Sequence, residues 1–575
     1  EELLCERLRA RVRVLELDWE PTGGTRIGRL DAAKLGGDTE DFDGGTELAK
    51  VGVLLTGRER ALAREAEVAA LAAGLGAEPP GAVLLLGASG VGKTRVLTEF
   101  LATQPTAGVP TRVWHVAPAR VISGMSYLGQ WEARWIAILR HAATRKLVLY
   151  FDDLLGLFSA GRSSGSSLTL GDLLLPWLVD QRVRVLGEIT PEAWRVLRER
   201  RRAFADQFQI VTVLPPPPQA QWRILSHMLR ELEGRHRVRY TLDAVPTALA
   251  LAERYYGQRD FPGRIAEVLE TLSARAVGQT LGRAEVIGEF IRRTGSAASL
   301  VDLDQPLTRE QIETALGAEL KGQPQAIRVL ADVLLRAKAG LNDPGRPLAT
   351  LLLLGPTGVG KTACAKALAR YLGGSRALIR IDLNEYAEAG DASRLVGTFA
   401  APDGVLTAAI RRQPSSVVLL DEIEKAAPDV FDLLLSLLDE GRLTDAHGRV
   451  AHFQQAVIVM TSNLGAREAS RQLGFAAPAQ DRATYLDAAR RFFRPEFVNR
   501  IDHVLPFTPL GDAELRAITA QAVAAVLTRS GLKTRPCLID LDPAAIDALM
   551  AIGRDDALGA RALKRGIERA LVQPL

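Results

Sequence analysis

The sequence predicts an α/β protein made of two tandem modules, each a parallel-sheet subdomain built around a Gly-rich loop and followed by a small helical subdomain. Three observations carry this. One loop pattern occurs twice, as Gly87-Ala-Ser-Gly-Val-Gly-Lys-Thr94 and Gly355-Pro-Thr-Gly-Val-Gly-Lys-Thr362. Each copy follows a short apolar run, Ala82 to Leu86 and Leu351 to Leu354, and precedes a helical pattern, so strand, loop and helix stand in order. A second apolar run ending in acids follows at matching distance. Asp152, in Val148-Leu-Tyr-Phe-Asp-Asp153, lies 59 residues after Lys93, and Asp421, in Val417-Val-Leu-Leu-Asp-Glu422, lies 60 residues after Lys361. The same spacing met twice points to a duplicated unit.

Taken in order, residues 1–50 have weak periodicity and a Gly/Asp-rich tract from Gly36 to Gly45, which predicts a linker or the end of a missing domain. Residues 51–215 form the first large subdomain. Leu214-Pro-Pro-Pro-Pro218 can continue neither strand nor helix and marks the joint to a helical part over 216–295, where runs such as Gln221-Trp-Arg-Ile-Leu-Ser-His-Met-Leu229 have helical spacing. The second large subdomain covers 296–512, and 513–575 reads as its helical companion, expected to be truncated.

Composition bounds the function. The chain has 575 residues, 47% hydrophobic and 24% charged, with three cysteines. That excludes a disordered chain and a disulfide scaffold. No apolar stretch reaches membrane-spanning length. Lys and Arg number 72 against 68 Asp and Glu, a net charge of +4. This near-neutral balance is weak support for nucleic-acid binding, and the Arg198 to Arg202 run reads as a solvated helix face. No His/Cys cluster has zinc-ligand spacing. Glu1-Glu-Leu-Leu4 carries neither an initiator Met nor a signal pattern. The expectation is a fragment of a soluble, cytoplasmic protein without membrane contact.

The loops carry the chemistry. A triphosphate is held by backbone N–H groups that only Gly lets approach so closely. Gly87, Ser89, Gly90, Val91 and Gly92 in the first copy, and Gly355, Thr357, Gly358, Val359 and Gly360 in the second, are the cradle expected to bind ATP. Lys93 and Lys361 would reach the β- and γ-phosphates, and the Thr94 and Thr362 hydroxyls would bind Mg²⁺ together with Asp152 and Asp421. A lone loop of this kind can be a chance glycine turn, but the acidic partner at the end of an apolar strand argues against it. Glu422 would polarise the attacking water. Its counterpart Asp153 is one carbon shorter, a setback of roughly 1.5 Å, and a misplacement of about 1 Å can cost about 10²-fold in rate.

From about residue 50 onward these residues resemble the double-ring Clp AAA+ ATPases, which unfold proteins by threading them through a hexamer pore. The resemblance is most specific in the second module, in Ser393-Arg-Leu-Val-Gly397, Leu419-Leu-Asp-Glu-Ile-Glu-Lys-Ala426, Pro428-Asp-Val-Phe431, Gly441-Arg-Leu-Thr-Asp445, Met460-Thr-Ser-Asn-Leu-Gly465, Phe493-Arg-Pro-Glu-Phe-Val-Asn-Arg-Ile-Asp502 and Gly559-Ala-Arg-Ala-Leu-Lys-Arg565. It implies that Asn463 is the polar sensor placing the water, Arg500 the arginine finger reaching a neighbour's γ-phosphate, and Arg561 the second sensor. In the first module Gly57-Arg-Glu59 resembles the family's opening motif. Ser126-Tyr-Leu-Gly-Gln-Trp-Glu132 resembles its first pore loop, with Tyr127 as the gripping aromatic, and Thr190 falls at its first sensor. The resemblance further implies a homo-hexamer acting on protein substrates. Leu473-Gly474-Phe475 lies where protease-linked members carry a tripeptide that docks on a Clp-type peptidase; the alternative is a buried loop anchor.

The chain also departs from the family. Asp206 and Gln207 stand where the first module usually carries paired finger arginines, with Arg200, Arg201 and Arg202 upstream as partial substitutes. With Asp153, this predicts a first module that binds nucleotide and hydrolyses it slowly or not at all. After Gly397 the second pore loop is about five residues short, which leaves Phe399 as the candidate gripping residue there or as local packing. No room exists for a coiled-coil middle domain between 219 and 310. The expected function is an ATP-driven unfoldase with hydrolysis mainly in the second module. An ATP-switched scaffold that does not thread is the alternative. A nucleic-acid remodeller is a third reading, for which the basic channel is missing: Glu132 sits beside Tyr127 and Trp131, with no Lys cluster nearby.

Overall fold

A computed structural model describes residues 42–573, apart from 58–60, 104–111, 125–129, 162–167, 258, 400, 467–477, 530–541 and 555–558. Described residues of the first module start with helix α1 (Gly44–Val51) and strand β1 (Gly52–Leu54), and continue with β2 (Ala82–Leu86), α2 (Lys93–Thr103), β3 (Val113–Val116), α3 (Gln130–Thr144), β4 (Val148–Phe151), β5 (Arg184–Ile189), α4 (Pro191–Arg200) and β6 (Phe208–Thr212). The strands form one sheet in the order β1-β3-β4-β5-β2-β6, parallel except for the edge pair β1–β3. The apolar runs are buried on both faces, as central parallel strands require. Ala82 and Leu84 pack with Trp135 and Phe151 on one face; Val83 and Leu85 pack with Val96 and Phe100 on the other.

Residues 44–50, expected within a linker or the end of a missing domain, belong to helix α1. Asp43 caps α1, and the helix lies against α3 so closely that a Cβ on Gly44 would come within 2.2 Å of the Ala137 carbonyl oxygen. Buried Glu47 pairs with buried Arg134 at 2.8 Å. A charge pair removed from water holds only when both partners are present, which ties residues 44–51 to the first module.

The proline run leads from β6 straight into α5 (Pro218–His236), with Pro218 in the first turn where its missing N–H is not needed. The helical part continues with β7 (Arg239–Tyr240), α6 (Ala244–Tyr256), α7 (Gly263–Arg275), β8 (Thr280–Leu281) and α8 (Arg283–Thr294). The second module repeats the plan. Its helices include α9 (Pro324–Ala339), α10 (Lys361–Gly373), α11 (Val405–Arg412) and α12 (Pro428–Glu440), followed by α13 (Asp512–Leu527), α14 (Pro543–Gly553) and α15 (Ala560–Ile567). Strands β9 (Ala349–Leu354), β10 (Leu378–Asp382), β11 (Val417–Asp421), β14 (Val457–Ser462) and β15 (His503–Pro506) form a parallel sheet in the order β10-β11-β14-β9-β15. Strands β12 (Arg442–Thr444) and β13 (Val450–His452) make a separate hairpin.

Among the described residues the modules touch in several places, including Gln413, whose side-chain N–H donates to the Thr294 carbonyl at 3.0 Å. Arg254 of α6 donates to the Ala337 carbonyl at 2.7 Å, near the C-terminus of α9, where orphan carbonyls and the helix dipole favour a cation. Elsewhere, α4 meets the turn of the β12–β13 hairpin. Gly448, at φ +75°, sits where a Cβ would lie 2.8 Å from the Ala193 nitrogen.

Candidate functional site

In the second module the loop between β9 and α10 places Gly355, Gly358 and Gly360 at φ +149°, +83° and +104°, conformations open to Gly at little cost. Its N–H groups and the first turn of α10 line a cavity of about 300 Å³, which Thr357, Thr362, Asp421 and Glu422 also face. Lys361 is buried; its Nζ donates to the Gly355 carbonyl, to the Pro356 carbonyl at 2.9 Å and to Asn463 Oδ1 at 2.9 Å. Burial pushes its ammonium down to about 8, against the pull of Glu424 and Asp421.

Asp421, buried at the end of β11, accepts from Thr461 Oγ1 at 2.5 Å and from Arg380 at 2.7 Å. Glu422 adopts the left-handed region, φ +58°, which is rare for a side chain of this size and swings its carboxylate off the strand direction. Asn384 Nδ2 donates to that carboxylate at 2.6 Å. The Asn463 backbone N–H donates to Glu424 at 3.0 Å. Gly559, at φ +51°, brings the start of α15 against the loop: the Ala560 N–H donates to the Gly358 carbonyl at 3.2 Å, and Arg561 faces the cavity. Arg500 does not line its own cavity. It is 46% exposed and pairs with Asp439 at 2.7 Å.

The first module has the same cradle with different acids. Gly90 and Gly92 stand at φ +82° and +102°, and a Cβ on Gly87 would lie 2.4 Å from the Val213 carbonyl oxygen. Ser89, Val91 and Thr94 line a cavity of about 400 Å³. Lys93 donates to the Gly87 and Ala88 carbonyls at 2.8 and 2.9 Å, and burial lowers its pKa. The helical part grips the loop here too: the Gly263 N–H donates to the Gly90 carbonyl at 2.9 Å.

The paired acids sit differently from expectation. Asp152 is 57% exposed and 3.0 Å from His115 Nε2, and it does not line the cavity. Asp153 accepts the Gly156 N–H at 2.9 Å and does not line the cavity either. Thr190 Oγ1 accepts the Ala193 N–H at 3.3 Å as the cap of α4 and also faces the cavity. The acid that does reach the loop is Glu188. It is buried on β5, accepts from Thr94 Oγ1 at 3.2 Å and from the Tyr150 hydroxyl at 2.8 Å, and burial raises its carboxyl pKa. Sequence reasoning passed over Glu188, although an acid inside the otherwise apolar run Val185 to Ile189 is a signal in itself. It also passed over Asn384, Arg380 and Thr461, whose parts depend on contacts between strands.

Two expectations are corrected. The upstream arginines have partners within the chain, as Arg500 does: Arg201 pairs with Asp172 at 3.2 Å, Arg202, 81% exposed, lies 3.7 Å from Asp206, and Arg200 sits 5.0 Å over the Phe399 ring. Phe399 is half-buried against His447, with ring centres 4.9 Å apart, and packs on the first module's core. That removes it from a gripping role, because a ring held under a guanidinium is not free to press on a passing chain. Asp152 and Asp153 do not face the first cavity. Tyr127, Arg58 and Glu59, and Leu473, Gly474 and Phe475 lie outside the described residues.

Comparison with known proteins finds relatives along most of the chain. Residues 346–504 match the family described as AAA domain (Cdc48 subfamily), and 510–575 match the C-terminal, D2-small domain of ClpB protein. A "ClpA homolog protein" of Fuscovulum blasticum is 34% identical over 86% of this chain and 64% of its own length. The "Chaperone protein ClpB" of Pseudomonas putida is 31% identical over 86% of this chain and 73% of its own. "Negative regulator of genetic competence ClpC/MecB" of Bacillus subtilis is 32% identical over 84% and 70%. The chain thus spans roughly two thirds of the length of these relatives. Among solved structures, the S. cerevisiae Hsp104-ADP complex superposes with a TM-score of 0.66 at 27% identity, covering 92% of this chain and 94% of that one. Shared motifs, two parallel sheets each with its loop, and relatives aligned over most of the chain lead to one conclusion: the chain belongs to the Clp family of AAA+ ATPases.

Proposed function

We propose that this protein remodels or unfolds other proteins as an ATP-driven homo-oligomeric ring, a hexamer, with hydrolysis concentrated in the second module and nucleotide held with little turnover in the first. The observation that carries the division is the fate of the paired acids. Glu422 faces the second cavity beside Asp421 and is held by Asn384, whereas Asp153 is bonded to the Gly156 N–H away from the first cavity and Asp152 faces solvent.

In the second site the cradle and Lys361 hold the phosphates, and Thr362 with buried Asp421 fits Mg²⁺, which supplies charge neutralisation on the phosphate oxygens when bound. Glu422 takes the proton of the attacking water, a role worth about 10²–10⁴-fold. Asn463, tied to Lys361, fixes the direction of approach. Arg561 reaches the site from the helical part, so cleavage there changes the fit between the two parts of the module. Arg500 serves a neighbour's site.

The test is steady-state ATPase in the full chain. Glu422→Gln is expected to lower turnover about 100-fold or more, and Asp153→Asn to leave it within about twofold; the reverse pattern overturns the assignment. The packing of Phe399 favours a second reading, a nucleotide-switched scaffold. Tyr127→Ala separates the two: a threading machine loses work on an unfolded substrate at unchanged ATPase, and a scaffold keeps its output. Peptidase docking through Leu473-Gly474-Phe475 is tested by a pull-down with a Clp-type peptidase, with and without Phe475→Ala.

A further inference from the structure

The two modules supply their own comparison. Strand register makes Leu85 of β2 the counterpart of Leu353 of β9, each two residues before the loop glycine. Leu85 faces Glu188, and Leu353 faces Thr461. Glu188 therefore occupies the place of Thr461. By the same register Tyr150 stands where the second module has Leu419, and His115 where it has Arg380. Both modules pair the strand-end Asp with a basic residue of the neighbouring strand, yet the outcomes differ. Asp421 belongs to β11, is 7% exposed and faces its cavity; Asp152 falls beyond the end of β4 and is largely exposed. In the second module the residue at this place donates a hydroxyl to the acid. In the first module that residue is itself the acid, and its neighbour is a tyrosine whose hydroxyl anchors it 2.8 Å away. The Thr94 hydroxyl, the group that would share a metal, donates to Glu188 at 3.2 Å.

We propose that Glu188, and not Asp152, is the metal-holding carboxylate of the first nucleotide site. A buried carboxylate beside the phosphate cradle repels a free nucleotide and attracts one whose charge is bridged by a divalent cation. Occupancy of the first site is then gated by the metal, and Tyr150 is the positioning residue that keeps the carboxylate aimed at Thr94. This rests on the reading of the first module as a nucleotide-holding site.

The experiment uses the full chain carrying Lys361→Ala to silence the second site. Equilibrium binding of a fluorescent ADP is measured with Mg²⁺ and with EDTA, and binding of Mn²⁺ in the presence of ADP is followed by electron paramagnetic resonance. In the parent, metal tightens ADP binding by about 10-fold or more. Glu188→Gln, which keeps the shape and one of the two acceptor oxygens, cuts that gain to within about threefold and weakens Mn²⁺ about 10- to 100-fold. Tyr150→Phe loses part of the gain and serves if the Glu188 variant does not fold. Asp152→Asn shifts the gain by less than about twofold. If Asp152→Asn erases the metal dependence while Glu188→Gln and Tyr150→Phe retain it, the assignment fails and the first site remains a nucleotide site. If ADP does not bind the parent under either condition, both the assignment and the nucleotide-holding reading fail.

Discussion

Lys361 shows how one side chain is set by its surroundings. Burial favours its neutral form, so its pKa stands near 8 instead of the ordinary lysine value. The sign follows: the cost of burying the ammonium is present below about pH 8 and fades as pH rises toward the unfolded lysine value of about 10.4. Phosphate oxygens need the charged form. Binding of ATP above about pH 8 must therefore take up a proton, and affinity falls by up to about tenfold per pH unit. Titration calorimetry in two buffers of different ionisation enthalpy, on a Lys93→Ala chain so that only the second site reports, is expected to show proton uptake near pH 9 that Lys361→Arg abolishes. Uptake that persists in the arginine variant assigns the proton elsewhere. The identity of Lys361, Lys93 and the cradle glycines was legible from spacing, since a phosphate loop is local in sequence. Glu188 was not, because its meaning comes from facing Thr94 across a loop and Tyr150 across a strand.

At the scale of elements, the β12–β13 hairpin is a joint between the modules. Its turn is built on Asp445, whose buried carboxylate accepts the His447 and Arg449 N–H groups at 2.9 Å each and pairs with Arg449 at 2.7 Å and Arg411 at 3.1 Å. Gly448, at the tip, touches the backbone of α4, and the stack of Arg200 over Phe399 over His447 runs alongside. Asp445→Asn keeps the shape but leaves two guanidinium groups short of a charge. A loss of about 2–4 kcal/mol is expected, read as a shift in the denaturant midpoint of the second module. Gly448→Val adds a branched side chain at positive φ with the Ala193 nitrogen already 2.8 Å from its Cβ position. It is expected to loosen the contact with α4, read as faster proteolysis between the modules, with the second-site nucleotide affinity unchanged. The strands and the loop-helix units were readable from apolar runs and glycines, which encode structure within about ten residues. This joint was not: Phe399 read as local packing sooner than as a gripping ring, but nothing in the sequence put α4 beside it. The packing of α1 on α3 was hidden in the same way, inside a Gly/Asp-rich tract whose composition speaks for a linker.

For the whole molecule, the decisive fact is that Arg500 stands outside the cavity of its own chain, half exposed and paired, among the described residues, with Asp439. A surface ion pair of this kind contributes little to folding, typically 0–1 kcal/mol, so stability alone gives it a small role. If Arg500 completes the site of the next subunit, an active centre needs Glu422 from one chain and Arg500 from another, and catalysis becomes a property of the ring. Two dead variants then test the geometry together. Arg500→Ala and Glu422→Gln are each expected to lose about 10²-fold or more in turnover when assembled alone. Mixed in equal parts and reassembled, they restore activity at every interface where an Arg500→Ala subunit, with its intact Glu422, receives Arg500 from a Glu422→Gln neighbour. Random assembly makes about a quarter of the sites whole, and the recovered rate should follow the product of the two fractions as the mixing ratio is varied. An arginine acting within its own chain permits no such rescue at any ratio, because every subunit in the mixture lacks one member of the pair.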